Sequence, residues 1–164
     1  MRFLYYILLL FTITGYSQNI IIGDSQVAFL DIYVTKAQRV NSLWKPGITA
    51  NDLTRMVQNY PLTTTVRNVI ISIGTNDGYK GDVIALYRIL KYRFPYAKFY
   101  VVPGSWNWGG LKKITLKDVN TYYMKHASQG AFIIPLAIGP GDPHRYKQSY
   151  VLIGSYLDEI LTNN

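Results

Sequence analysis

The chain contains no cysteine. Disulfides, thiolate nucleophiles and Cys-ligated zinc are therefore excluded. Histidine is almost as scarce. Two copies in 164 residues, neither within a His-Glu-x-x-His pattern, leave little material for an all-protein metal site. No resident metal and no cofactor are expected. Acidic residues number nine against 17 lysines and arginines, a formal net charge of +8. Such a surplus suits nucleic acid, anionic lipid or a polyanionic wall polymer without selecting among them. The basic residues are spread along the chain instead of forming a tail. The charge therefore reads as general surface character, and no dedicated nucleic-acid binding is expected. Charged residues are only 16% of the sequence and apolar residues 49%, the balance of a compact globule.

Long apolar runs are missing everywhere except at the N-terminus. Arg2 gives a short positive start, followed by Phe3-Leu4-Tyr5-Tyr6-Ile7-Leu8-Leu9-Leu10-Phe11. Gly15 and Ser17 stand as small residues at −3 and −1 of a cleavage before Gln18. That is the build of a secretory signal peptide over residues 1–17, leaving a single domain over 18–164. The run falls short of the ~20 residues of a membrane-spanning helix. An uncleaved N-terminal tether is the alternative, and a buried strand a third. The expectation is a secreted or periplasmic domain with no membrane span once the leader is removed.

What the sequence does have is an alternation of strands and helices. Asn19-Ile20-Ile21-Ile22 is a β-branched run closed by Gly23, and Asn68-Val69-Ile70-Ile71-Ser72-Ile73 is the clearest central strand. Further strands are expected over 39–43, 98–102 and 131–134. Helices are expected over 26–36, 49–59 (with Thr49 as N-cap and Asp52 near its start), 82–94, 116–128 and 146–161. This βαβαβαβαβα order predicts an α/β fold, a mostly parallel sheet covered on both faces. In such sheets the loops at the carboxyl ends of the strands form the ligand crevice. Those loops are Gly23-Asp24-Ser25, the turn at Gly47, Gly74-Thr75-Asn76-Asp77 and Pro103-Gly104-Ser105-Trp106, with Asp142-Pro143-His144 beyond the last strand.

Several familiar devices are absent from these loops. Gly23-Asp24-Ser25-Gln26 is not a Gly-x-Ser-x-Gly elbow. No Gly-Lys-Thr or Gly-Lys-Ser completes a Walker A loop, and no dinucleotide fingerprint follows the first strand. Nucleotide binding therefore ranks low. Ile21-Ile22-Gly23-Asp24-Ser25, Pro46-Gly47-Ile48-Thr49, Ile73-Gly74-Thr75-Asn76-Asp77 and His144 occur instead, in that order. By these four blocks the chain resembles the SGNH (GDSL-like) hydrolases over essentially all of its length after the leader. The resemblance implies a flavodoxin-like three-layer α/β/α sandwich with a central, mostly parallel five-stranded sheet.

It also implies roles. Ser25 is the nucleophile, His144 its base, and the Ser25 amide, Gly47 amide and Asn76 side chain form the oxyanion hole. Elementary chemistry agrees: a neutral hydroxyl needs a base, and an imidazole with a pKa of about 6.5 can take and return a proton near neutrality. Asp142 would fix the histidine tautomer. The family places its aspartate three residues before the histidine, whereas here Asp142 precedes His144 by two with Pro143 between. Asp142 completes a triad, or a backbone carbonyl orients His144 and leaves a dyad; both arrangements stay open on the sequence.

Trp106 and Trp108 follow a strand exit and read either as a substrate wall or as loop seals. Thr75 and Asp77 read as loop-shaping residues. His126 lies in an expected helix and reads as solvent-facing. The function expected is a serine-dependent hydrolase of acyl esters, an esterase or carbohydrate O-deacetylase. Its substrate would be a small ester or an acylated glycan or lipid. The alternative is a non-catalytic carbohydrate- or surface-binding protein on the same scaffold, motivated by the altered Asp142–His144 spacing.

Overall fold

The computed structural model describes residues 18–163; the proposed leader over 1–17 lies outside the described residues. Two β-branched strands form its centre: β1 (Gln18–Gly23) and β3 (Val66–Ser72). Successive side chains of a strand point to opposite faces. Accordingly Ile20, Ile22, Val69 and Ile71 enter one core while Ile21 and Ile70 enter the other. Apolar residues on both faces of a strand require cover on both sides, and the helices supply it. Helices α2 (Ala50–Gln58), α3 (Val83–Arg93) and α4 (Leu116–Ser128) pack on the first face through Leu53, Leu86, Leu90 and Val119. Helices α1 (Val27–Tyr33) and α5 (Lys147–Thr162) pack on the second through Leu30, Ile153 and Leu157.

With β2 (Gln38–Trp44), β4 (Lys98–Val101) and β6 (Phe132–Ile133), the sheet has five parallel strands in the order β2-β1-β3-β4-β6. This is the expected three-layer α/β/α sandwich. Strand order reverses between β1 and β3, so their exit loops diverge at the point where ligand crevices form in such sheets. Among the described residues no helix is long and apolar enough to cross a membrane.

The differences from the sequence reading are local. Helix α1 stops at Tyr33 rather than near Lys36 because the α5 carboxylate of Asp158 captures the next amides: Thr35 N–H at 3.0 Å and Lys36 N–H at 2.9 Å. A second sheet escaped the reading altogether. It is a parallel pair, β5 (Ser105–Trp106) with β7 (Gly139–Pro140), extended by Gly141 N–H donating to the Trp106 carbonyl at 2.7 Å. Two-residue strands carry no periodicity to detect. This pair ties the tryptophan loop to the loop that carries His144.

Candidate active site

The exit of β1 is shaped by one glycine. Gly23 has φ +137°, and a Cβ there would sit 1.8 Å from the Ser72 carbonyl oxygen. Only glycine lets the two central strands end this close together. The chain then turns at once: Asp24 N–H donates to the Ser72 carbonyl at 2.9 Å, and the Asp24 carboxyl accepts the Gln26 N–H at 3.0 Å. Ser25 rides on this turn, half-buried, at the start of α1. Buried Gln26 fastens the turn to the β3 exit, donating to Thr75 Oγ1 at 2.6 Å and accepting from Ser72 Oγ at 3.2 Å.

His144 reaches Ser25 from the far end of the chain. Its Nε2 lies 3.3 Å from Ser25 Oγ, and its Nδ1 lies 2.9 Å from Asp142 Oδ1. The short Asp142–His144 spacing works because Asp142 caps a 3-10 turn over Pro143–Arg145. Pro143 occupies the first helical position, where its missing N–H costs nothing. The same Oδ1 accepts the His144 backbone N–H at 3.0 Å, so one carboxylate oxygen holds both the backbone and the ring of His144. That amide, opposed by partial desolvation and aided by the ring and Arg145, keeps the Asp142 carboxyl below the usual carboxylate range. An ionised Asp142 favours the tautomer with the hydrogen on Nδ1, which in a neutral ring turns the Nε2 lone pair toward Ser25. Phe29 and Trp108 frame the imidazole, with ring centroids 5.4 and 6.4 Å away.

Asn76 stitches the remaining loops. Its Nδ2 donates to the Ile48 carbonyl at 3.0 Å and lies 3.4 Å from Asp24 Oδ2. One side chain therefore touches the neighbour of Gly47 and the neighbour of Ser25. Gly47 is exposed with φ +79°, and a Cβ there would meet no atom within 4 Å. Its positive φ, rather than crowding by the protein, is what favours glycine. Among the described residues neither the Ser25 nor the Gly47 amide donates to a protein acceptor. Thr75 and Asp77 shape the loop, as read from the sequence. Asp77 accepts the Ala50 N–H at 3.0 Å and the Tyr79 N–H at 3.1 Å.

Sequence reasoning missed Asp24 and Gln26 as buried organisers. Asp24 is fully buried, and burial, opposed by the Gln26 amide and reinforced by Asp77, pushes its carboxyl up to about 7. The signal available was a charged residue directly after a buried strand. His126 requires a correction. It is fully buried, not solvent-facing, because Tyr122 and Tyr123 of its own helix and Tyr87 of α3 enclose the ring. The two tryptophans also separate. Both rest on the core, but Trp108 also borders a cavity beside Asn76, whereas Trp106 is committed to β5.

The parallel α/β/α sandwich is an architecture that this chain shares with solved structures of G-D-S-L lipolytic proteins. A G-D-S-L lipolytic protein from Veillonella parvula superposes with TM-score 0.55 at 14% identity, over 90% of this chain and 99% of that one. The C-terminal catalytic domain of peptidoglycan O-acetyltransferase A from Streptococcus pneumoniae gives 0.56 at 15%, over 90% and 93%. The extracellular lipase of Streptomyces rimosus gives 0.52 at 11%, over 86% and 99%. At these identities the likeness establishes the fold. No family model and no curated protein matches the sequence.

Proposed function

We propose that the protein is a serine-dependent acyl hydrolase, an exported esterase or carbohydrate O-deacetylase working through an acyl-enzyme. The observation that carries this reading is the continuous relay from Ser25 Oγ to His144 Nε2 and from His144 Nδ1 to Asp142. The Ser25–His144 separation is at the long end of a hydrogen bond, as is common before substrate tightens a site.

Ser25 Oγ attacks the acyl carbon as its proton passes to His144 Nε2, and Asp142 stabilises the imidazolium. The resulting oxyanion takes hydrogen bonds from the Ser25 and Gly47 amides and from Asn76 Nδ2, whose longer contact to Asp24 is the one exchanged. Collapse breaks the bond to the alcohol oxygen, which receives the proton from His144. Water then gives a proton to His144 and attacks the acyl-enzyme, and Ser25 leaves with that proton. The non-catalytic alternative drew on the shortened Asp142–His144 spacing, and the 3-10 turn removes that motive.

Hydrolysis of nitrophenyl acetate, alongside acetate release from acetylated glycans, tests the reading. Turnover abolished by Ser25→Ala supports it; equal release by wild type and Ser25→Ala overturns it. Export is tested separately by the N-terminus of protein recovered outside the cytoplasm, expected at Gln18. A retained residue 1 would favour the tether.

A further inference from the structure

Beside Asn76 lies a cavity of about 400 Å³, bordered by Asn76, Asp77, Lys80, Trp108, Leu111 and Ile114. Resting on the acyl-hydrolase reading, we propose that this cavity is the leaving-group subsite for an alcohol that carries a negative charge, with Lys80 selecting that charge. The class of substrate is thus an acyl ester of an anionic sugar.

Position makes the cavity part of the reaction path. The departing oxygen must take its proton from His144 Nε2, so the alcohol leaves on the side of the imidazole. Trp108, edge-on to that ring at 6.4 Å, and Asn76, the proposed oxyanion donor, both border the cavity, which therefore lies next to the reacting groups. The Trp108 indole offers an apolar surface for a sugar ring. A Cβ at the adjoining Gly110 would meet nothing within 4 Å, so this wall stays open. The volume falls within the ~300–1,000 Å³ of small-molecule sites.

Charge gives the selectivity. The one acid of the wall, Asp77, spends both carboxylate oxygens on the backbone N–H groups of Ala50 and Tyr79. Lys80 is exposed and forms no ion pair among the described residues. Exposed Lys112 and Lys113 follow Leu111 of the wall in the chain. The backbone also fixes where Lys80 starts. Tyr79 has φ +62°, a conformation that a bulky side chain rarely adopts, so its surroundings must hold it there. They do so through the Tyr79 hydroxyl donating to the Ser105 carbonyl at 2.5 Å and edge contacts with Tyr122 and Tyr123.

The test compares O-acetylated methyl glucuronoside, its neutral methyl ester and O-acetylated glucose 6-phosphate. Wild type is expected to show kcat/KM about five-fold higher for an anionic substrate than for the ester, with the preference shrinking in about 0.5 M NaCl. The two anionic arms tell a carboxylate from a phosphate. Lys80→Ala should bring the ratio to about one and Lys80→Glu below it, while the remote Lys91→Glu leaves it in place. Equal rates in wild type overturn the subsite. So does a preference that survives Lys80→Glu or falls equally in Lys91→Glu, since both point to the general field of the protein. Tryptophan fluorescence titration of Ser25→Ala protein with methyl glucuronoside and its methyl ester reads the cavity without turnover. Tighter binding of the acid, lost in the Ser25→Ala/Lys80→Glu protein, supports the subsite even if no ester is hydrolysed. Indifference to charge rejects the subsite while leaving the hydrolase reading to its own test.

Discussion

The two histidines occupy opposite environments. His144 sits in a 3-10 turn with 43% of its side chain exposed; Asp142 is on one ring nitrogen and Ser25 on the other. His126 sits in α4 at 0% exposure, its Nδ1 3.1 Å from the Tyr87 hydroxyl and its Nε2 buried without a partner. Burial drives the His126 pKa down to about 3, so this ring is neutral near pH 7. A proton carrier needs an acceptor behind it and a substrate-accessible nitrogen in front. His144 has both. His126 has three tyrosines around it and serves as packing.

Exchanging each histidine for alanine should break the comparison in opposite ways. His144→Ala is expected to lower kcat/KM on a nitrophenyl ester by about 10⁴–10⁶ while moving Tm by no more than a few degrees. His126→Ala is expected to cost about 3 kcal/mol of stability by leaving a cavity, with activity retained below the transition. Asp142→Asn should lower kcat by up to ~10⁴, because an amide neither stabilises the imidazolium nor enforces the tautomer. An Asp142→Asn protein with near wild-type kcat would mean that His144 is oriented by something else. Asn76→Ala should lower kcat by roughly 10²–10³ through loss of one oxyanion donor.

The smallest effect is a pH signature of the buried groups. The unfolded chain protonates His126 near pH ~6.5 while the native ring resists until about 3, so stability is lost as pH falls through that interval. Asp24 acts with the opposite sign. Native Asp24 keeps its proton up to about 7, whereas the unfolded carboxyl releases it near ~3.9, so stability is lost as pH rises between them. Asp52, lowered to about 2, and Asp142 titrate below this window. Between about pH 4.5 and 6.5 the two terms oppose each other, and Tm of the wild type should be nearly level. Differential scanning calorimetry should show Tm rising with pH in Asp24→Asn and falling with pH in His126→Phe. The same slope in all three proteins would contradict the account.

The sheet was legible because β1 and β3 announce themselves with runs of isoleucine and valine, and because α2 between them is capped. Thr49 and Asp52 form the expected cap, as a full capping box. The loops Gly23–Ser25, Gly74–Asp77 and Asp142–His144 were legible as motifs in order. What the sequence left open was decided by short-range geometry. The Asp142–His144 spacing gains its meaning from a 3-10 turn, and the β5–β7 pair from two residues on each side. His126 misled because three tyrosines nearby in sequence or space, each with a polar tip, do not look like a core. Gln26 was invisible for a related reason: its partners Ser72 and Thr75 are far away in the chain.

The central claim is that Ser25, and no other serine, is activated by His144. Intact-protein and peptide mass spectrometry after fluorophosphonate treatment tests it most directly. The account predicts one adduct on Ser25 in wild type, none in Ser25→Ala, and strongly slowed labelling in His144→Ala but wild-type labelling in folded His126→Ala. An unmodified wild-type protein, or an adduct that persists in Ser25→Ala, would contradict it.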